Sequence, residues 1–246
     1  MRILAELTWV EIKLFVREPL TMAMTFGLPL LFMPVMNGVF GNTPATEIFR
    51  GVGALNYYVP AYFGLVLTSI GVMALPVHMT AYRELGVLRR FRASSIRLPA
   101  ILGSQIVVSF VIAVLGVILL VVLAMLAFDA SAPESFWMFL PAFVLGTLCF
   151  VGLGIFLGSV MPTSRAAQGL GLILFFLMLM LAGAGPPPEV MPEALQIAGK
   201  ATPLYWVILM MQDTWLGFGW NWLATGIVSG ILVVSIVLAA RFFRWE

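Results

Sequence analysis

Charge is what this sequence has least of. Asp, Glu, Lys and Arg supply 10% of its 246 residues and 62% are hydrophobic, whereas a typical soluble domain carries about 25% charge. With a mean hydropathy of +1.08, a water-soluble globular fold is excluded. Cysteine is nearly absent: the lone Cys149 lies in an apolar run from Thr147 to Val151, so no intramolecular disulfide and no cysteine zinc site can form. The single histidine, His78, rules out His-x-x-x-His metal pairs, and no Gly-x-Ser-x-Gly turn marks a serine nucleophile. An intramembrane protease is therefore disfavoured, and His78 reads as an amphipathic side chain at the membrane surface. No Gly-x-x-x-x-Gly-Lys-Ser/Thr loop is present, so any use of ATP requires a second subunit. Thirteen basic against eleven acidic residues leave a net charge of +2, which gives no reason to expect a nucleic-acid partner.

What is there is a series of long apolar runs. They predict six membrane-spanning helices at Pro19–Phe40, Tyr57–Met79, Ala100–Phe128, Phe136–Val160, Ala167–Ala184 and Trp220–Ala240. In lipid such runs must be helical, because each unpaired backbone amide there is costly. The expected fold is all-α, a single polytopic domain over residues 1–246. The residues before the first span lack a cleavable signal pattern, since Glu6, Glu11 and Glu18 interrupt their basic character. Arg2, Lys13, Arg17, Arg83, Arg89, Arg90, Arg92, Arg97, Arg165, Arg241 and Arg244 fall on one side of such a bundle, and only Arg50 and Lys200 on the other. By the positive-inside rule both termini are expected in the cytoplasm of a cell (plasma or inner) membrane.

Three segments are more than connectors. Residues 1–18 place Ile3, Leu4, Leu7, Val10 and Leu14 at helical spacing, with Trp9, Lys13, Arg17 and Glu18 alongside, which predicts a helix lying at the inner interface. Residues 80–99 place Tyr82, Leu85, Leu88 and Phe91 on one helical face and Arg83, Glu84 and Arg90 elsewhere. Its arginines serve either to fix topology against anionic lipid or to dock a cytosolic partner. Glu84 has no cation three or four residues on, which would leave its carboxylate free for such a partner. Residues 185–219 begin with Gly185 and three prolines and carry apolar pieces too short to span, split at Thr202-Pro203. They predict a re-entrant or interfacial helix pair on the outer side, with Pro187, Pro192, Pro203, Tyr205 and Trp206 as its marked positions.

The predicted spans hold no Asp, Glu, Lys or Arg, which argues against ion-coupled transport and for an energy source outside the membrane. Uncharged polar residues remain: Asn37, Thr68, Ser69, Gln105, Ser109, Gln168, Thr225 and Ser229. Such residues either hydrogen-bond between helices or line a substrate path. Phe175, Phe176, Met178 and Met180 give the fifth span an adaptable apolar face, for lipid or for substrate. Gly154 and Gly158 form a Gly-x-x-x-Gly motif that permits close helix approach.

Taken together, the chain resembles the membrane subunit of ABC-2 type exporters, a group that includes daunorubicin-resistance-like drug exporters and polysaccharide exporters. The likeness runs through Val16-Arg17-Glu18-Pro19-Leu20 into Phe26-Gly27-Leu28-Pro29. It continues in the segment from Glu84-Leu85-Gly86 to Arg92-Ala93-Ser94, and in Ala182-Gly183-Ala184, Met191-Pro192 and Thr202-Pro203-Leu204. Phe91, Ser95 and Ala182 depart from the family's usual residues. The resemblance implies a half-transporter: a second permease copy, identical or homologous, and two copies of a cytosolic ABC ATPase subunit that holds ATP and Mg, with no cofactor on this chain. It implies that Tyr82, Arg83, Glu84, Gly86, Leu88, Arg89, Arg90 and Arg92 couple to the ATPase. It also implies a substrate path between the second and fifth spans, for which Thr68, Ser69, Gln168, Phe175, Phe176 and Met178 are candidates. The expected cargo is a hydrophobic or amphiphilic compound, drug-like before lipid or lipid-linked glycan; the rival readings are a non-transporting anchor subunit and an ion-coupled carrier.

Overall fold

The computed structural model describes residues 2–41, 48–87, 90, 98–128 and 130–242. An N-terminal helix α1 (Arg2–Val16) precedes α2 (Pro19–Phe40), α3 (Ala54–Glu84), α4 (Leu98–Phe128), α5 (Phe136–Val160) and α6 (Ser164–Leu181). Two shorter helices, α7 (Glu193–Lys200) and α8 (Pro203–Trp215), follow before α9 (Trp222–Phe242). Among the described residues the fold is all-helical, and α2 to α6 with α9 are six helices long and apolar enough to cross a membrane.

The centre of the bundle is α3. Its most apolar stretch is wholly buried, with Tyr58, Tyr62, Phe63, Leu65 and Leu67 at 1% exposure or less. It packs against α2, α4, α5, α6 and α8. Glycines allow the closest of these approaches. A Cβ on Gly154 would stand 2.5 Å from the Gly71 carbonyl oxygen, and one on Gly171 would collide with the carbonyl of Val72. The Gly-x-x-x-Gly motif thus seats α5 directly on α3, with Gly158 against Met79.

Both α2 and α3 widen into a π-helical turn, at Ala23–Gly27 and Ser69–Ala74. Each turn spans the position four residues before a proline: Thr25 before Pro29, Val72 before Pro76. Proline offers no N–H to that carbonyl and its ring crowds it, so a locally wider turn relieves the clash without breaking the helix. The two turns touch, joined by a hydrogen bond between the hydroxyls of Thr25 and Ser69.

Spans at Pro19–Phe40 and Phe136–Val160 fall where the sequence places them. The central span is longer than expected, because Thr80, Ala81, Tyr82, Arg83 and Glu84 continue the helix past its apolar run. There α3 stops: Leu85 is a cap with ψ near 0° and Gly86 takes a φ of 67°, a left-handed turn that glycine adopts without strain. The expected continuous face of Tyr82, Leu85, Leu88 and Phe91 is therefore broken at Leu85, which is exposed. Leu88, Arg89, Phe91 and Arg92 lie outside the described residues. Arg90 is exposed, and its N–H returns to the Gly86 carbonyl at 3.2 Å.

On the face opposite the termini, Gly183 ends α6 with a φ of 89°, and a short turn at Pro188–Val190 leads into α7 and α8. Thr202 caps α8 by accepting from the Tyr205 N–H. Leu204, Val207, Met210 and Met211 are fully buried as α8 packs on α3, α5 and α9. Burying such side chains is favourable by roughly 1.5–3 kcal/mol each relative to water.

Candidate functional site

Two adjacent side chains at the foot of α3 hold the turn that joins α5 to α6. The Arg83 guanidinium donates to the carbonyls of Gly158 at 3.5 Å, Ser159 at 3.4 Å and Met161, the unpaired C-terminal end of α5. The Glu84 carboxylate accepts from the Ser164 hydroxyl at 2.6 Å and the Ser164 N–H at 3.2 Å, the first residue of α6. A cation at a helix C-terminus and an anion at an N-terminus are each the favourable sign for the helix dipole. Glu84 is therefore not the free carboxylate expected from its lack of a cation along its own helix. Its partner comes from eighty residues away in sequence, so no local spacing rule could reveal it.

A second polar cluster ties α1 to the same end of α3. Glu11 is 2% exposed; one of its oxygens accepts from the Tyr82 hydroxyl at 2.6 Å and from the Gln105 side-chain amide of α4. His78 is buried between two carboxylates, with Nε2 2.9 Å from Glu18 and Nδ1 3.9 Å from Glu11. Glu18 also accepts from the Thr21 hydroxyl at 3.0 Å. His78 is thus a buried anchor point and not the surface side chain expected of it. Burial pushes the Glu11 carboxyl above its usual range, although the Tyr82 and Gln105 bonds and the His78 charge oppose it. For Glu18 burial acts in the same direction, but the hydrogen bond and charge of His78, with Thr21, hold the carboxyl below its usual range.

The docking sets which side of α1 meets the bundle. Glu11 and Phe15 turn toward the bundle, while Val10 and Val16 are exposed along with Trp9, over which the Lys13 ammonium sits at 5.1 Å. Arg17 is exposed.

The residues proposed for a substrate path are not brought together. Thr68 and Ser69 are fully buried, bonded to the carbonyls of Gly64 at 2.8 Å and Val66 at 3.3 Å. Phe175 and Met178 are buried inside the bundle, whereas Gln168 and Phe176 are exposed on α6. In the segment after α6, Pro187 is buried and Pro192 exposed, while Pro203, Tyr205 and Trp206 are half-buried; the Trp206 indole donates to the Lys200 carbonyl at 2.7 Å.

Opposite the termini lies a group with no counterpart in the sequence reading. Arg50, before α3, pairs with Asp213 of α8 at 2.6 Å and sits over the Phe218 ring at 4.6 Å. Asn221 donates to the same carboxylate at 2.6 Å. Arg50 holds a φ of 57°, a left-handed conformation that costs a side-chain-bearing residue about 1–2 kcal/mol. That Arg50 is one of only two basic residues on its side was the available signal.

Among the described residues, six apolar helices, one of them buried at the centre of the bundle, define a multi-pass membrane protein. Residues 3–216 match the family described as ABC-2 type transporter, so the chain belongs to that family of transport permeases. It is also similar to a protein of Bacillus subtilis (strain 168) that bears a transport-permease name, YvfS, at 23% identity over 207 residues, covering 83% of this chain and 82% of that protein.

Proposed function

We propose that the chain is the permease half of an ATP-driven exporter. It works with a second permease copy, identical or homologous, and with two cytosolic ABC ATPase subunits that hold ATP and Mg. Both termini, α1 and the Arg83–Glu84 end of α3 face the cytoplasm in a plasma or inner membrane. The observation that carries the reading is the double clamp: Arg83 on the end of α5 and Glu84 on the start of α6. A force applied by an ATPase to the arginine-rich segment after Gly86 would move α3, α5 and α6 as one body. The π-helical turns of α2 and α3 give those helices a place to yield. In this reading Tyr82, Gly86, Leu88, Arg89, Arg90 and Arg92 belong to the ATPase contact.

The helix α1, with Trp9 and Lys13 exposed, rests at the inner interface and follows α3 through Glu11, Glu18 and His78. The pair α7–α8 closes the outer end of the path as a re-entrant element. Cargo is a hydrophobic or amphiphilic compound, drug-like before lipid, which meets exposed Gln168 and Phe176 where two permeases face each other.

The test is affinity purification of the tagged chain from its host in gentle detergent, with mass-spectrometric identification of its companions and an ATPase assay. A stoichiometric Walker-motif ATPase whose activity depends on this chain is the expected result. Recovery of the chain alone, without nucleotide hydrolysis, would overturn the exporter reading and favour an anchor subunit.

A further inference from the structure

A cavity of about 190 Å³ opens on the face opposite the termini, lined by Arg50, Tyr57, Glu189, Tyr205, Ile208 and Gln212 among others. At roughly 30 Å³ per water it is the size of a polar headgroup and too small for a whole amphiphile. Two opposite charges line it, yet they do not pair with each other. Arg50 takes Asp213 as its carboxylate, at 2.6 Å. Glu189, among the described residues, has one hydrogen bond, from the Tyr57 hydroxyl at 3.4 Å. Both retain bonding capacity: a guanidinium carries five N–H groups, of which those on the buried Arg50 Nη1 lack a partner, and an ionised carboxylate accepts about four bonds.

The combination selects against simple ions. With Asp213 beside Arg50, a lone anion would be repelled by two carboxylates, and a lone cation would leave the Arg50 Nη1 without a partner. A ligand with both signs a few bonds apart satisfies both residues, with its cation also beside the rings of Tyr57 and Tyr205. The flanks indicate the source. Val190, next in sequence to Glu189, and Leu195 and Ile197 of α7 are 56%, 44% and 61% exposed, as suits a segment immersed in the membrane's headgroup layer. Ala182, immediately after the end of α6, lines the same cavity and so sets it at the end of that apolar helix.

The geometry points to a binding site for the zwitterionic headgroup of a phosphoethanolamine lipid, its ammonium at Glu189 and Tyr57 and its phosphate at Arg50. Glu189 selects the headgroup because only an ammonium with N–H donors can both neutralise the carboxylate and hydrogen-bond to it. The site is a feature of this chain alone and stands whether or not an ATPase drives transport.

Native mass spectrometry of the full-length chain in detergent tests it, with dioctanoyl phosphatidylethanolamine, dioctanoyl phosphatidylglycerol and soluble phosphoethanolamine as probes. The wild-type protein is expected to retain the ethanolamine lipid several-fold over the glycerol lipid. Glu189→Gln should erase that preference, while Glu193→Gln, an exposed acid of α7 that does not line the cavity, should keep it. Equal retention of the two lipids by wild type, or an unchanged preference in Glu189→Gln, would overturn the site. Displacement of the lipid by equimolar soluble phosphoethanolamine would overturn the bilayer as the ligand's source.

Discussion

Arg83 and Glu84, consecutive residues at the end of α3, grip opposite sides of one helix junction: the first bonds to the carbonyl end of α5, the second to the amide end of α6. Neither contact spans fewer than seventy residues of sequence. Glu84→Lys reverses the sign presented to the α6 N-terminus and brings a second cation to Arg165. Transport-coupled ATPase activity should fall several-fold while the protein still reaches the membrane. Unchanged coupling in that variant would remove the clamp from the mechanism.

The span pattern was legible because lipid leaves the backbone no alternative to the helix. Long apolar runs ended by Pro19 or by the Asp129–Glu134 stretch fix their own limits. The foot of α3 was harder, since the polar Thr80–Glu84 stretch reads equally as helix or loop, and only the left-handed Gly86 stops it. Glu84, Glu11 and His78 were each visible as residues, but their partners lie on other helices. An acid at one position of an amphipathic helix carries no mark that it will face inward, because what receives it is a tyrosine on α3 and a glutamine on α4.

Glu11 of α1 and Glu18, which follows that helix, should respond oppositely to pH. Glu18 is held below its usual range, so its stabilising effect is present above its unfolded value and is lost as pH falls through the folded one. Glu11 is pushed up by burial, so it stabilises below its unfolded value and loses that contribution as pH rises through the folded one. At pH 7.5 Glu18→Gln should lower the thermal midpoint of the purified protein, with the deficit closing in acid. Glu11→Gln keeps most of the hydrogen bonding without the buried charge, so it should leave the midpoint equal or raised, and any gain should vanish on acidification. Matching pH profiles for the two variants would show that their environments do not differ as described.

Glycine contacts at the bundle centre make a third prediction. Gly154→Ala puts a methyl 2.5 Å from the Gly71 carbonyl oxygen, and backbone on both sides leaves nothing flexible to move. Overpacking of this kind costs about 1–3 kcal/mol, enough to lower thermal stability measurably. Gly226→Ala, with nothing within 4 Å of the new methyl in α9, is the control. It should be neutral or slightly stabilising, because alanine is favoured over glycine in a helix by up to about 1 kcal/mol. Equal losses in both variants would mean that the α3–α5 approach does not govern the effect, since helix propensity favours alanine at both positions.

Arg50 combines a strained backbone with a well-placed charge, and the two can be separated. Its φ of 57° is unfavourable for any residue with a Cβ, while its guanidinium engages Asp213 and the Phe218 ring. Arg50→Ala loses the charge and keeps the strain; Arg50→Gly loses both. The glycine variant should therefore be the more stable of the two by about 1 kcal/mol, with both below wild type, because Asp213 would keep only Asn221 as a partner. If alanine and glycine unfold together, the left-handed conformation is not held against a penalty and relaxes once the ion pair is gone. A wild-type midpoint in the glycine variant would instead mean that the ion pair contributes no more than the strain it offsets, leaving α8 anchored by its apolar face alone.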